Sequence, residues 1–228
     1  MACRQVHGYL FFVCVMNRKI TALKAQKRNN QRVNIYLDGE YAFSLARIVA
    51  AWLQVGGELS DEKIASLQAE DGCETAYQRA VKFIGYRMRS EKEIQDKLEE
   101  YQLPEGTIAR VMDRLRRSGL VDDARFSQMW VENRAEYRPR SHRALAYELR
   151  RKGIPDELIE QTLDETEDDE ELAYRAATQH SRKWNNLEWP DFRKKLSGFL
   201  ARRGFSYHTA AQVVGRVWAE RGSEKSFE

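Results

Sequence analysis

The sequence predicts a mainly α-helical fold: tandem three-helix repeats in an elongated, curved array, behind a small N-terminal antiparallel β/α extension. Three observations carry this. From Thr75 onward apolar residues recur at helical spacing, with punctuation every 10 to 16 residues and no convincing strand. That pattern matches itself at a fixed offset of 51 residues. Ahead of it, residues 19–46 show strand-like spacing, and Asp38-Gly39 is the usual two-residue hairpin signal because both positions tolerate positive φ.

The chain divides by these signals into a leader (1–18), an N-terminal extension (19–72) and three repeats (75–122, 123–169 and 170–221). In the leader, Tyr9 to Met16 is apolar for eight residues, too few to span a bilayer as a helix. No small-residue cleavage site follows it, which argues against a secretion signal. An extra strand fits, as does an upstream start ahead of a working protein that begins at Met16; the second is favoured. In the extension, Ile20, Leu23, Val33, Ile35, Leu37, Tyr41 and Phe43 alternate with polar residues, and turns fall at Asn29-Asn30 and Asp38-Gly39. This reads as an antiparallel meander, then a short helix over Ala46–Leu53 broken by Gly56-Gly57. Ser60 caps a further helix.

The second helix of each repeat shows the period best. In the first copy Ser90 and Glu93 form a capping box; Ile94 and Leu98 face inward, Leu103-Pro104 ends the helix and restarts the chain, and Ile108 and Met112 continue the apolar face. In the second copy Ser141, Leu145, Leu149, Gly153, Ile154-Pro155, Ile159 and Leu163 take those places, and in the third Leu196, Leu200, Gly204, Phe205-Ser206, Ala210 and Val214 do. Tyr86-Arg87-x-Arg89-Ser90 recurs as Tyr137-Arg138-x-Arg140-Ser141. A period near 50 residues signals an array of supersecondary units, none of which buries enough apolar surface alone. Leading helices are expected at 75–86, 123–135 and 170–183. Their core candidates are Ala80, Phe83 and Ile84; Phe126, Met129 and Trp130; and Leu172, Ala173, Ala176 and Ala177.

Little points to chemistry. The three cysteines (Cys3, Cys14, Cys73) form no CxxC pair and suggest neither disulfides nor zinc, so a reducing cytoplasm is expected. His7, His142, His180 and His208 are scattered and read as surface residues. No phosphate-cradling loop or nucleophile elbow appears. Asp122-Asp123 reads as helix-capping acid, not as a metal site. A binding protein without cofactor, metal or catalytic residues is expected, monomeric and with no membrane association.

Charge is more informative. The net charge of +3 conceals segregation: residues 1–37 hold seven basic and no acidic residues, whereas residues 156–174 hold ten acidic and no basic ones. The acidic run Asp164–Glu171 reads as a solvated linker, with repulsion of DNA or a clasp on a basic patch as the alternative. Arg134, Arg138, Arg140, Arg143, Arg150, Arg151 and Lys152 cluster at the two ends of one helix. At a helix C-terminus, Arg150, Arg151 and Lys152 complement the dipole. At the N-terminus, Arg138 and Arg140, with their repeat mates Arg87 and Arg89, gain nothing from it, so an anionic partner is the favoured reason for them, with ordinary solvated charge paired with the many local carboxylates as the alternative. Arg193, Lys194, Lys195, Arg202 and Arg203 form a third patch at the equivalent height. Trp130, Trp184, Trp189 and Trp218 read as packing residues, with Trp189, next to Pro190, the one most suspected of partner contact.

Several of these stretches resemble one family. Gly119-Leu120-Val121-Asp122-Asp123-x-Arg125-Phe126, then Arg134, Arg138-Pro139-Arg140-Ser141 and Glu148 to Ile154 look like the central signature of the RecX family. Ser90-Glu91-x-Glu93-Ile94-x-x-x-Leu98 resembles its first-repeat motif, and Ile35 to Phe43 the N-terminal extension of its longer members. The resemblance implies a bacterial cytoplasmic regulator of the RecA recombinase. Such a protein has no catalytic activity, lodges in the groove of the nucleoprotein filament, and restrains filament extension, ATP hydrolysis and strand exchange in recombination and DNA repair. Some members bind DNA directly, so single- or double-stranded DNA is a second expected partner. The alternative from the residues alone is a direct DNA-binding protein with helix-turn-helix-like repeats. The third repeat departs from the pattern, with Trp189-Pro190-Asp191-Phe192 in place of the Arg-Ser corner.

Overall fold

The computed structural model describes residues 17–224, so Tyr9–Met16 lies outside the described residues. The chain divides into two compact units. One holds the chain through Ala80 together with Leu103–Val111; the other holds Val81–Gln102 and Met112 onward.

The first unit is built on four antiparallel strands, β1 (Arg18–Ala25), β2 (Arg32–Leu37), β3 (Glu40–Ala46) and β4 (Glu58–Leu59), in the order β3-β2-β1-β4. The hairpin between β2 and β3 turns at Asp38 (φ 50°) and Gly39 (φ 94°), the pair of left-handed residues that such a turn demands. One face of the sheet buries Ile20, Ile35, Leu37 and Leu45 with Ala50, Leu59 and Leu67. The expected helix over Ala46–Leu53 is reduced to a single 3-10 turn, Ala50–Trp52. Ala46 is still paired with Arg32 in the sheet, and its amide donates to the Asp71 carboxylate, which removes the first turn that a helix there would need.

The helices expected from Ser60 and from Thr75 are one helix, α1 (Asp61–Ile84). Ser60 starts it, its hydroxyl accepting from the Lys63 amide at 3.2 Å. Gly72 in its middle costs about 1 kcal/mol relative to alanine, too little to stop it. Asp71 offsets part of that cost by pairing with Arg32 of β2 at 2.9 Å.

The other unit carries α2 (Glu91–Glu99), most of the second half of α3 (Glu105–Arg117), α4 (Asp123–Tyr137), α5 (His142–Arg151), α6 (Asp156–Asp164), α7 (Asp169–Ser181), α8 (Trp189–Arg202) and α9 (Tyr207–Glu224). The second repeat, α4 to α6, closes over Phe126, Val131, Leu145, Leu149, Ile154, Ile159 and Leu163. The third, α7 to α9, closes over Leu172, Ala176, Phe192, Leu196, Leu200, Val213 and Val214, with Trp184, Trp189 and Trp218 packed at its edge. Met129, a core candidate by spacing, is exposed; Phe126 and Trp130, one turn apart and stacked at 5.7 Å, define the inward face instead, with Val131 beside them. Among the described residues no helix is long and apolar enough to cross a membrane.

Candidate functional site

The serine that starts the second helix of one repeat and the glycine that ends the second helix of the next lie against each other. Ser90 and Ser141 are fully buried. Each caps its own helix, accepting from the amide three residues on. Each also holds the following repeat. Ser90 Oγ donates to the Lys152 carbonyl at 2.7 Å, and the Ser141 amide donates to the Arg203 carbonyl at 3.2 Å. Gly153 (φ 80°) and Gly204 (φ 94°) follow those carbonyls, in a left-handed conformation that favours glycine. A Cβ on Gly153 would fall 2.6 Å from Lys92 Cβ, and one on Gly204 would fall 2.6 Å from Ser141 Oγ. The next free amide of each helix start is also taken from outside. Glu91 N–H donates to Asp123 at 2.9 Å and His142 N–H to Asp169 at 2.7 Å. Each acceptor is the first residue of the following repeat's leading helix. Of the pair read as capping acids, Asp122 does cap α4, whereas Asp123 closes this joint. Asp169 likewise takes part of the acidic run out of a purely solvated role.

The first joint has a carboxylate at its centre. Glu93, third residue of α2, completes the capping box and lies among three cations: Arg87 at 2.7 Å, Lys152 at 2.8 Å and Arg89 at 3.8 Å. Partial burial alone would raise its pKa. Hydrogen bonds from Arg87, Lys152 and the Ser90 amide, with the charge of Lys152, outweigh burial and hold it at about 2. Arg89 lies over the Phe83 ring at 3.9 Å. Burial and the charge of Arg87 lower its pKa, and Glu93 opposes them.

The second joint has the same frame without that carboxylate. Arg138, Arg140, Ser141 and Arg203 stand where Arg87, Arg89, Ser90 and Lys152 stand, but Ala144 takes the place of Glu93. This explains the different backbone contact. In the first joint the Ser90 amide is engaged by Glu93 at 3.3 Å, leaving the hydroxyl to hold Lys152. In the second the Ser141 amide is open and takes Arg203. Arg203 donates to the Pro139 carbonyl at 3.2 Å and lies over Phe199. Burial and the charges of Arg140, Arg138 and Arg134 all lower its pKa, with no acid opposing them.

A second carboxylate serves the flank of α5. Glu148 accepts from Arg134 at 2.8 Å and Trp130 Nε1 at 2.9 Å, and pairs with Arg140 at 3.0 Å. These residues line a cleft of about 420 Å³ with Tyr147, Arg151 and Lys152. Arg89 Nε and Arg140 Nε, at equivalent places in the two joints, are both buried without a hydrogen-bond partner.

The candidate cations therefore separate. Arg87, Arg89, Arg134, Arg140 and Lys152 are paired with Glu93 or Glu148, and Arg150 pairs with Asp156 at 2.6 Å. Among the described residues Arg138, Arg143, Arg151, Arg193, Lys194, Lys195, Arg202 and Arg203 make no ion pair. The third patch is not one site. Arg203 joins Arg138 and Arg140 at the second joint, and Arg143 reaches the Gly204 carbonyl there at 3.4 Å. Arg193 and Lys194 line a separate groove of about 610 Å³ with Trp189, Pro190, Ser197 and Tyr207. Arg87, Arg89 and Arg140 do pair with local carboxylates, the alternative reading for them, but the sequence did not single out Glu93 and Glu148 as the partners. The signal for Glu93 was present, since a capping-box glutamate lies one turn from Arg89.

Comparison with known proteins agrees on one family across the chain. Family models described as the regulatory protein RecX N-terminal domain and the first, second and third RecX three-helix domains match residues 18–60, 76–115, 122–163 and 167–214. A regulatory protein RecX of Bacillus pumilus is 33% identical over 92% of this chain and 81% of its own length. One of Clostridium acetobutylicum is 31% identical over 88% of this chain and 97% of its own. A crystal structure of regulatory protein RecX superposes with a TM-score of 0.69 at 30% identity, covering 86% of this chain and 98% of that one. RecX from Lactobacillus salivarius, at 21% identity, shares the fold with a TM-score of 0.56, over 64% of this chain and 97% of that one.

Proposed function

This chain belongs to the RecX family of regulatory proteins, and from that premise we propose that it binds the RecA recombinase filament and restrains it, lowering filament extension, ATP hydrolysis and strand exchange. It acts as a binding protein without a catalytic centre, in the cytoplasm. The observation that best supports a docking surface is the surplus of positive charge at the second joint. Arg138 and Arg143 are exposed there, beside Arg203, with no carboxylate where the first joint has one. Such a surplus steers association with an anionic surface and makes it sensitive to salt. Several weak contacts along the repeats would then add through effective concentration.

The test is the DNA-dependent ATPase of the cognate RecA, titrated with this protein. Inhibition at substoichiometric ratios is expected, weakening as salt rises. No inhibition at any ratio refutes the reading.

The groove of Trp189, Pro190, Arg193, Lys194 and Tyr207 supports a second reading, direct contact with single-stranded DNA. Tyr207 is 79% exposed beside two unpaired cations, the combination on which bases stack. Binding to oligothymidine without RecA, lost on Arg193→Ala with Tyr207→Ala, would favour it.

A further inference from the structure

We propose that the second joint is an open carboxylate site, which takes a glutamate or aspartate side chain from an acidic protein segment against Arg138 and Arg203, the counterparts of two cations that Glu93 holds in the first joint. The proposal deepens the docking reading of this corner, but it is tested without RecA, so each can fail alone.

The first joint shows what the frame holds. A carboxylate at the third residue of the helix reaches a cation two residues before the preceding repeat's Arg-Ser pair, Arg87, and a cation from the following repeat, Lys152. In the second joint both cations are kept, as Arg138 and Arg203, and the second is an arginine. The third residue of α5, Ala144, ends at Cβ and supplies no carboxylate, and the Ser141 amide is held by the Arg203 carbonyl, which leaves the two side-chain cations without an anion.

Three further facts show that the cations lack an internal substitute. Glu148, the acid nearest in the network, is already shared by Arg134, Arg140 and Trp130. Arg138 has no ion pair among the described residues and is exposed. Arg203 has the Pro139 carbonyl and the Phe199 ring as contacts but no acid among the described residues, and burial together with the charges of Arg140, Arg138 and Arg134 lowers its pKa. Like charges held close without a counter-ion destabilise a fold, and an incoming anion relieves that cost.

A carboxylate is favoured over a phosphate backbone because the matching frame accommodates one: a single planar anion approached by a guanidinium fork and a second cation. A polyphosphate chain needs a track of cations. Of the neighbouring ones, Arg134 and Arg140 are already held by Glu148, which leaves Arg143, on the Gly204 carbonyl, as the one further cation of this joint among the described residues.

The probe is a hexaglutamate peptide, with hexaglutamine and oligothymidine as controls, titrated at about 50 mM salt, where screening is modest. The wild-type protein should bind hexaglutamate and not hexaglutamine, and the Nε–H resonances of Arg138 and Arg203 should shift. Ala144→Glu gives the joint its own carboxylate and should weaken hexaglutamate binding roughly tenfold or more, the effect of losing one charge-assisted contact. Arg138→Gln, at an exposed side chain with no partner, should weaken binding similarly and keeps the test open if Ala144→Glu does not fold. Hexaglutamate binding unchanged in both variants would overturn the proposal. So would an oligothymidine that binds at this joint in preference to the peptide and is displaced by Ala144→Glu, which would make it a phosphate site.

Discussion

The joint between the first and second repeats and the joint between the second and third share a frame: a buried serine cap, a left-handed glycine, an aspartate on the helix amide, and a cation on each side. They differ in one residue at the centre. Glu93 closes the first joint electrostatically, and Ala144 leaves the second unbalanced. A repeat can therefore keep its packing while one position decides whether its charge is used inside the protein or offered to a partner. Stability and recognition are separable here because backbone contacts and apolar burial hold the frame in both joints, while the carboxylate, present in one, adds its bonds to the Ser90 amide and the cations.

The largest expected effect tests the shared frame. Gly204→Ala places a Cβ at 2.6 Å from Ser141 Oγ and 2.9 Å from Ala144 Cβ, in a backbone conformation that alanine resists. Strain and overlap together should cost roughly 2–4 kcal/mol in denaturant unfolding. A cost under about 1 kcal/mol would mean that the second joint is not tightly packed.

Next is Glu93→Gln, which separates the two joints. The carboxyl of Glu93 lies at about 2 in the folded protein, against about 4.5 for a free glutamate. A depressed acid contributes stability that is present above the unfolded value and lost as pH falls through the folded one. Wild-type stability should therefore fall between about pH 4.5 and about 2, with Glu93 contributing on the order of 2–3 kcal/mol. Glu93→Gln should lose that amount at neutral pH and flatten the acid slope over the same window. An unchanged slope would break the comparison.

The smallest effect is at Asp123. Its pKa is raised, chiefly by burial and also by the charges of Glu91 and Asp122, so its charged form is the disfavoured one. An asparagine oxygen can still accept from the Glu91 amide. Asp123→Asn should change stability by no more than about 0.5 kcal/mol at neutral pH. It should also remove the stability that a raised acid gains as pH falls through its folded value, so the variant loses stability slightly faster than wild type in mild acid. A loss above about 1.5 kcal/mol would show that the negative charge itself holds the joint.

What the sequence revealed and what it hid follow from contact distance along the chain. The Asp38-Gly39 hairpin and the Ser90-Glu93 capping box depend on residues within one turn, and both are found as expected. The 51-residue period exposed every half of the joints: the serine, the glycine and the Arg-x-Arg corner. It did not show that the end of one repeat's second helix rests on the serine of the repeat before, because those partners lie 62 residues apart for Ser90 and Lys152. For the same reason Asp123 read as a cap of its own helix. The helix expected over Ala46–Leu53 failed because sheet pairing of Ala46 outweighed local propensity. Among the candidate cations, charge at a helix start was legible, but its internal counter-ions were not. Glu148 lies 14 residues from Arg134 and has no motif to announce it.

The most direct test of the central claim is a pair of charge reversals in the RecA ATPase assay, Arg87→Glu and Arg138→Glu, at matched positions of the two joints. Helicity and unfolding are measured on the same samples. Arg138→Glu should raise the half-inhibitory concentration at least about tenfold with the fold intact, as expected for a desolvated interfacial charge. Arg87→Glu should destabilise the protein while leaving inhibition within about threefold at a temperature where it remains folded. Equal losses of inhibition from both, or a larger one from Arg87→Glu, would contradict the account.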